Sequence, residues 1–313
     1  MTQPPACSEL RARALQAFLC PDLQRKCALT AALADAASGL WAAGANSGVG
    51  GVGGVGEVGE VGEVGDGADI PLAAKPADSL APRLDLQCTF LPAPDQPGRP
   101  ARPLLVAPDR VPKRKFGSPV GRAALLHAVA HIEANAIDLA LDVVWRFAGM
   151  PAAFYLDWIK VAGEEALHFG LLQSHLISLG HTYGEFAAHD GLWEMAYRTR
   201  HDVLARLALV PRTLEARGLD ASPPMRARLS AAGDEAGALI LDRILADEIG
   251  HVAIGNHWYR WLCAGRGCAV ESTYHALAAQ YHAPRLKGPF NISARRAAGF
   301  SEAELAELTG DPS

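Results

Sequence analysis

DWIKVAGEEALHFGLL, residues 157–172, and LADEIGHVAIGNHW, residues 245–258, are the two stretches that decide the fold of this chain. Each has a glutamate followed three positions later by a histidine, Glu165 with His168 and Glu248 with His251, and each glutamate follows another acid, Glu164 or Asp247. Residues three apart on a helix lie on one face, so the carboxylate and the imidazole of each pair can reach a common point. One E-x-x-H motif is weak, because acids line solvated faces and a lone histidine on an apolar face is commonly a satisfied core residue. Two in succession, on separate helices, predict a pair of metal ions held between the helices of a bundle.

Working outward, long segments of helical apolar spacing follow one another from Ala123, with breaks at recognisable punctuation. A first helix is expected over 123–147, with Gly149 and Pro151 as stop and restart, and a second over 151–179, with Gly180 past its end. A third is expected over 192–216, ended by Gly218 and the following Ser222, Pro223 and Pro224, with a short helix filling 225–232. A fourth covers 234–263. In the tail, Ser301 opens a surface helix where SEAE matches a capping box. No strand is predicted.

The remaining two ligands follow from height, because antiparallel neighbours place residues equidistant from their turn side by side. Glu133 and Glu165 lie sixteen residues either side of Gly149, which makes Glu133 the first-helix ligand ahead of Asp138. On the third helix the choice lies between Glu215 and Asp202. Glu215 precedes Glu248 by 33 residues, close to the 32 between Glu133 and Glu165, but stands within a turn of the expected helix end. Height alone favours Asp202, sixteen before Gly218, yet its side chain is shorter, and the break at GLDASPP leaves slack for the fourth helix to slide. Glu215 is therefore preferred. The expected metal set is Glu133, Glu165, His168, Glu215, Glu248 and His251, in an all-α, ferritin-like four-helix bundle. Oxygen and nitrogen ligands without thiolate favour iron, or manganese, over structural zinc.

A ligating histidine needs an acceptor for its other N–H, and Asp247, Glu164, Asp138 and Asp142 are the adjacent acids. His127 and His131 form an i, i+4 pair, but His131 lies far round the helix from Glu133, so both are read as packing or hydrogen-bonding residues, as are His175 and His257. Trp158, Phe169, Tyr197 and Trp258 are read as core.

Outside the bundle, expected at 121–264, the chain divides by composition. Residues 1–44 form an N-terminal helical segment, rich in Ala and Leu and interrupted near Pro21. SGVGGVGGVGEVGEVGEVGDG, within 45–69, is a tandem repeat too glycine-rich to order cheaply and reads as a flexible linker. Residues 70–120 carry many prolines and read as an extended arm across the bundle, ending in RVPKRKFGSPVGR, a basic run read as a solvated face. Residues 265–313 form a C-terminal extension. A formal charge of -5 over 313 residues argues against a protein that coats nucleic acid. The six cysteines, Cys7, Cys20, Cys27, Cys88, Cys263 and Cys268, make no C-x-x-C pair, which excludes a zinc knuckle or a disulfide scaffold and points to reduced thiols in a cytoplasm. No unbroken apolar stretch has the length of a membrane span.

With these residues assembled, LLHAVAHIEANAIDLALD, DWIKVAGEEALHFGLL, HDGLWEMAYRTRHD, ALVPRTLEARGLD, LADEIGHVAIGNHW and KGPFNISARRAAGF resemble the bacterial ferritin-like family catalogued as domain of unknown function 455. The resemblance spans about 97–308 and leaves the Gly-Val repeat outside. More remotely, the helix order is similar to that of the tRNA-modifying di-iron hydroxylases and the ribonucleotide reductase small subunit. In the latter the third-helix carboxylate also lies near a helix end, which supports Glu215 over Asp202. The resemblance implies the fold and the metal site. The leading expectation for function is a two-metal oxidoreductase that activates dioxygen to oxidise or hydroxylate a substrate, either a small molecule or tRNA, with a reductase partner, no membrane, and a monomer or homodimer. The competing expectations are a non-enzymatic iron-handling protein and a metal-free helical interaction protein.

Overall fold

The computed structural model describes residues 10–45, 86–91, 93–112 and 114–310. The fold is all-α: among these residues no strand forms, and the one isolated bridge joins Leu105 to Ala188. The Gly-Val repeat lies outside the described residues from position 46 onward. Of the proline-rich arm, the described parts run irregularly, apart from a single 3-10 turn at Pro108–Arg110. They are tied down at Gly98, whose N–H donates to Phe18 O, and at Pro94, whose carbonyl accepts from Arg146 Nη2.

Two short N-terminal helices, α1 (Leu10–Phe18) and α2 (Leu23–Ala45), precede a long pair, α3 (Pro119–Arg146) and α4 (Ala152–Ser178). Ser118 caps α3 by accepting from Gly121 N, with Pro119 at the first helical position where its missing N–H is harmless. At the other end the buried guanidinium of Arg11 takes the carbonyls of Val144 and Trp145, which have no partner inside the helix. The turn into α4 is fixed by Gly149 at φ 80°, and by the Tyr155 hydroxyl, which donates to Phe147 O and accepts from Met150 N. That rigid turn sets the relative height of α3 and α4. α3 also has the length and mean hydropathy of a membrane-crossing helix. Here α1, α2, α4 and the next helix cover it, and it buries three acids, Glu133, Asp138 and Asp142.

The third long helix departs most from expectation. The segment from 192 is a separate helix, α5 (Gly191–Arg198), followed by a break in which Asp202 caps the next helix by accepting from Leu204 N. From there one rod runs through α6 (Val203–Leu209), a π-helical segment (Val210–Glu215) and α7 (Ala216–Ala231). Gly218 does not end it, and Pro223 and Pro224 lie inside it. Their missing N–H groups orphan the carbonyls of Leu219 and Asp220, and the former is repaired by Asn291 Nδ2 at 3.2 Å. Ser222 Oγ adds a bond to Gly218 O, so the proline pair is tolerated with the help of a residue from the tail. The short helix expected over 225–232 is the end of α7.

α8 (Glu235–Arg266) begins with Asp234 accepting from Gly237 N and stops at Gly267 in the left-handed region, φ 64°. The tail adds α9 (Val270–Gln280), α10 (Ile292–Ala297) and α11 (Glu302–Thr309), the last opened by the expected capping box at Ser301 and Glu304. α3 packs along α4, α7 along α8, and the two pairs meet where α4 touches α8. A second apolar cluster, including Ala216, Leu219, Val252, Phe300 and Leu305, seats the tail on α7 and α8.

Candidate metal centre

Where α3, α4 and α8 converge, Glu133, Glu165, His168, Glu248 and His251 are all buried. Their ligand atoms form two groups, Glu133 with Glu165 and His168, and Glu165 with Glu248 and His251, each within 4.8 Å of one another. Glu165 belongs to both. His168 Nδ1 stands 3.2 Å from Glu133 Oε2 and 3.4 Å from Glu165 Oε2. His251 Nδ1 stands 2.9 Å from Glu165 Oε1 and 3.9 Å from Glu248 Oε1. The former contact is near in distance but not aligned as a hydrogen bond, and His251 Nδ1 and Glu248 Oε2 are left as buried polar atoms without hydrogen-bond partners. Orphaned buried acceptors of this kind need an explanation, and an ion that accepts their lone pairs is one.

The outward nitrogens are fixed by acids that cross between the helices. Asp247 of α8 holds His168 Nε2 at 2.9 Å, and Glu164 of α4 holds His251 Nε2 at 2.9 Å. An N–H committed to a carboxylate on the outer side fixes the tautomer and leaves Nδ1 facing the cluster. Each acid is in turn paired with a base one turn earlier, Lys160 with Glu164 at 2.8 Å and Arg243 with Asp247 at 2.5 Å. The repeated unit is therefore longer than the E-x-x-H read from sequence: base, three residues, acid, Glu, two residues, His. Both bases stand four residues before their acids in the sequence, a spacing that a local reading can find.

Electrostatics set the four carboxylates apart from one another. Burial and then the charge of Glu165 push Glu133 well above the usual carboxylate range, and they also raise Glu248. Burial opposes ionisation of Glu165 too, but His251 and His168 outweigh it and hold Glu165 far below that range. His168, despite desolvation, is pushed up to about 10 by Glu133 and Glu165, and at His251 desolvation is likewise outweighed by Glu165 and Glu164. No lysine or arginine makes an ion pair with Glu133, Glu165, Glu215 or Glu248 among the described residues.

Glu215 ends the π segment, in the interior of the third rod and not near its end. It retains partial exposure and lies outside the two tight groups. Desolvation is the largest cause of its raised pKa, followed by the charges of Glu248 and Glu165, which raise it, and of His251 and Arg206, which lower it. Pro211 at the start of that segment seats against Gly255 of α8, where any Cβ would come within 2.7 Å of the proline ring. Asp202 is elsewhere, capping α6 and pairing with Arg266. Asp138 and Asp142 serve neither histidine, since Asp138 is paired with Lys26 and Asp142 with Arg206 and Arg146.

The other histidines have partners of their own. His131 meets the Tyr183 hydroxyl, His127 accepts from Gly184 N, His175 meets Asp234, and His257 packs edge-on to Trp258. Trp258 donates to Asp157 and is buried, as are Trp158 and Phe169.

The family described as protein of unknown function (DUF455) matches residues 70–306. The chain belongs to that family. An uncharacterized protein from Haemophilus influenzae (strain ATCC 51907 / DSM 11121 / KW20 / Rd) is 52% identical over 213 residues, covering 66% of this chain and 74% of the relative. No solved structure matches. The DUF455 match includes every residue of the cluster and leaves α1 and α2 outside it.

Proposed function

We propose that this DUF455 chain is a ferritin-like four-helix bundle in which Glu133, Glu165, His168, Glu215, Glu248 and His251 hold two metal ions, iron in the first place and manganese in the second. One observation carries the reading: three clustered carboxylates, Glu133, Glu165 and Glu248, with no lysine or arginine ion-paired to them among the described residues, face two imidazoles whose Nδ1 atoms lie toward them and whose Nε2 atoms are held by crossed acids. Isolated buried charge is too costly to persist for structural reasons alone, whereas a divalent pair neutralises it. The donor set fits hard or borderline ions and offers no thiolate.

The activity proposed is an oxidoreductase that uses dioxygen to oxidise or hydroxylate an organic substrate, in which the bound metals supply the redox chemistry. The protein's own part is positional. Glu165, common to both ligand groups, would serve both ions, with His168 and His251 held by Asp247 and Glu164. A small molecule is the proposed substrate class and a reductase the proposed partner.

Loading purified protein anaerobically with ferrous ion, counting bound iron, and then admitting oxygen under optical and Mössbauer observation tests this reading. About two irons per chain, oxidised together, is the expected result. Binding of less than a few tenths of an ion would overturn it in favour of a helical interaction protein. Repeated uptake of many ions per chain would favour iron handling.

A further inference from the structure

The π segment that carries Glu215 is held from its other side by the C-terminal tail. Arg212, three residues before Glu215, is buried, with Nη1 donating to Asn256 Oδ1 at 2.9 Å and Nη2 paired with Glu304. Its guanidinium lies 5.0 Å from the Tyr259 ring, 5.2 Å from Tyr274 and 5.1 Å from Phe300. Thr213 bonds Ala208 O at 2.7 Å and meets the Tyr274 hydroxyl at 3.1 Å. Of these partners, Tyr274 comes from α9, Glu304 from α11 and Phe300 from the turn between α10 and α11. A π turn is a rare backbone register, and Pro211 removes one of its donors, so its shape depends on outside support.

Glu304 has two tasks at once. It closes the capping box of α11, accepting from Ser301 N at 2.8 Å while its own N–H donates to Ser301 Oγ, and it balances the buried Arg212 charge. Arg260 adds a second contact to it at 3.2 Å. The start of the last helix and the π turn are therefore fastened through one carboxylate.

We propose that Arg212 and Glu304 are positioning residues for Glu215, so that the C-terminal tail sets the carboxylate available to the ion beside Glu248. This rests on the two-metal reading above. The tail then acts as a clamp: with it in place the π turn holds Glu215 toward Glu248 and Glu165, and with the ion pair broken the turn relaxes and that position loses a ligand. The position built on Glu133 and His168 is untouched.

The test compares Glu304→Gln and Arg212→Lys with Asp220→Asn. Asp220 stands on α7 beyond the π segment and takes its partners from the same tail, Arg295 at 2.6 Å and Asn291 N at 2.9 Å. Manganese and ferrous ion are titrated into metal-free full-length protein against a fluorescent chelator, with melting temperature recorded for each variant. Glu304→Gln and Arg212→Lys are expected to weaken the second ion by at least about tenfold while the first keeps its wild-type affinity. Asp220→Asn is expected to lower the melting temperature and leave both affinities alone. Wild-type affinity for both ions in Glu304→Gln and Arg212→Lys, or an equal loss in Asp220→Asn, would overturn the clamp. Failure of the wild-type chain to bind any ion would defeat the two-metal reading itself, a separate and distinguishable result.

Discussion

Helix α3 buries carboxylates at two heights, and the two heights are treated in opposite ways. Toward its C-terminal end Asp138 is paired with Lys26 of α2, and Asp142 with Arg206 of α6, all four buried, and also with the half-buried Arg146 of its own helix. One and two turns earlier Glu133 faces only Glu165 and His168. The first arrangement is complete as a protein: each negative charge has a positive side chain within hydrogen-bonding distance. The second has no lysine or arginine in an ion pair among the described residues, and its carboxylates meet only imidazoles and one another. Among the described residues the chain pairs lysine and arginine with one group of buried acids and none with the next along the same helix, and the proposed metal reading rests on that contrast.

The comparison can be broken most severely at Glu165, which belongs to both ligand groups. Glu165→Ala is expected to reduce bound metal to background while helicity by circular dichroism stays at the wild-type level. Unfolding of the variant instead would move this cluster into the same structural class as the Asp138 pair. On the paired side the effect is the reverse. Lys26→Met leaves Asp138 buried without its cation and is expected to destabilise the fold by about 3–5 kcal/mol in urea titrations, with metal content unchanged. Replacing both members, Lys26→Met with Asp138→Leu, is expected to restore stability to within about 1 kcal/mol.

A finer effect is expected at the crossed acids. Glu164→Gln and Asp247→Asn each keep the shape but lose the charge that orients a histidine, and each should weaken metal binding by about 10–100-fold. Their melting temperatures should barely move, because the Lys160 and Arg243 pairs lie at the surface.

The smallest effect probes an intermediate case. Asp157 is buried with no cation in contact and one indole N–H, from Trp258, and burial pushes it up to about 6. A raised carboxyl favours the fold fully below its unfolded value, near 3.9. That contribution is lost as pH rises through about 6. Asp157→Asn should therefore gain on the wild type by on the order of 2 kcal/mol between pH 4 and pH 8, read as the difference of two denaturation curves. A difference that stays flat with pH would mean that Asp157 is ionised throughout.

Much of this was legible because the relevant information is local. Glu133 could be paired with Glu165 from the sequence because Gly149 and Pro151 mark the turn and both helices are unbroken on either side. Glu164 and Asp247 could be named as histidine partners by adjacency, though not that each would serve the other helix. The third rod could not be read in this way. A proline pair ends most helices, and what lets this one continue is an amide from Asn291, 72 residues along the chain from the carbonyl it repairs. The π segment likewise has only Pro211 as a local sign, while Arg212 is held by partners from α8 and from the tail. Long-range repair of a backbone defect leaves no trace in a window of neighbouring residues.

The crossed acids carry one consequence for how the site comes into being. The hairpin of α3 and α4 contains Glu133, Glu165 and His168, a full ligand group, yet the acid that aims His168 belongs to α8. The same holds in reverse for His251 and Glu164. Neither half of the molecule can be ready alone. On the proposed two-metal reading the cluster would behave as a logical AND, holding an ion firmly only once two hairpins synthesised at different times have docked in register.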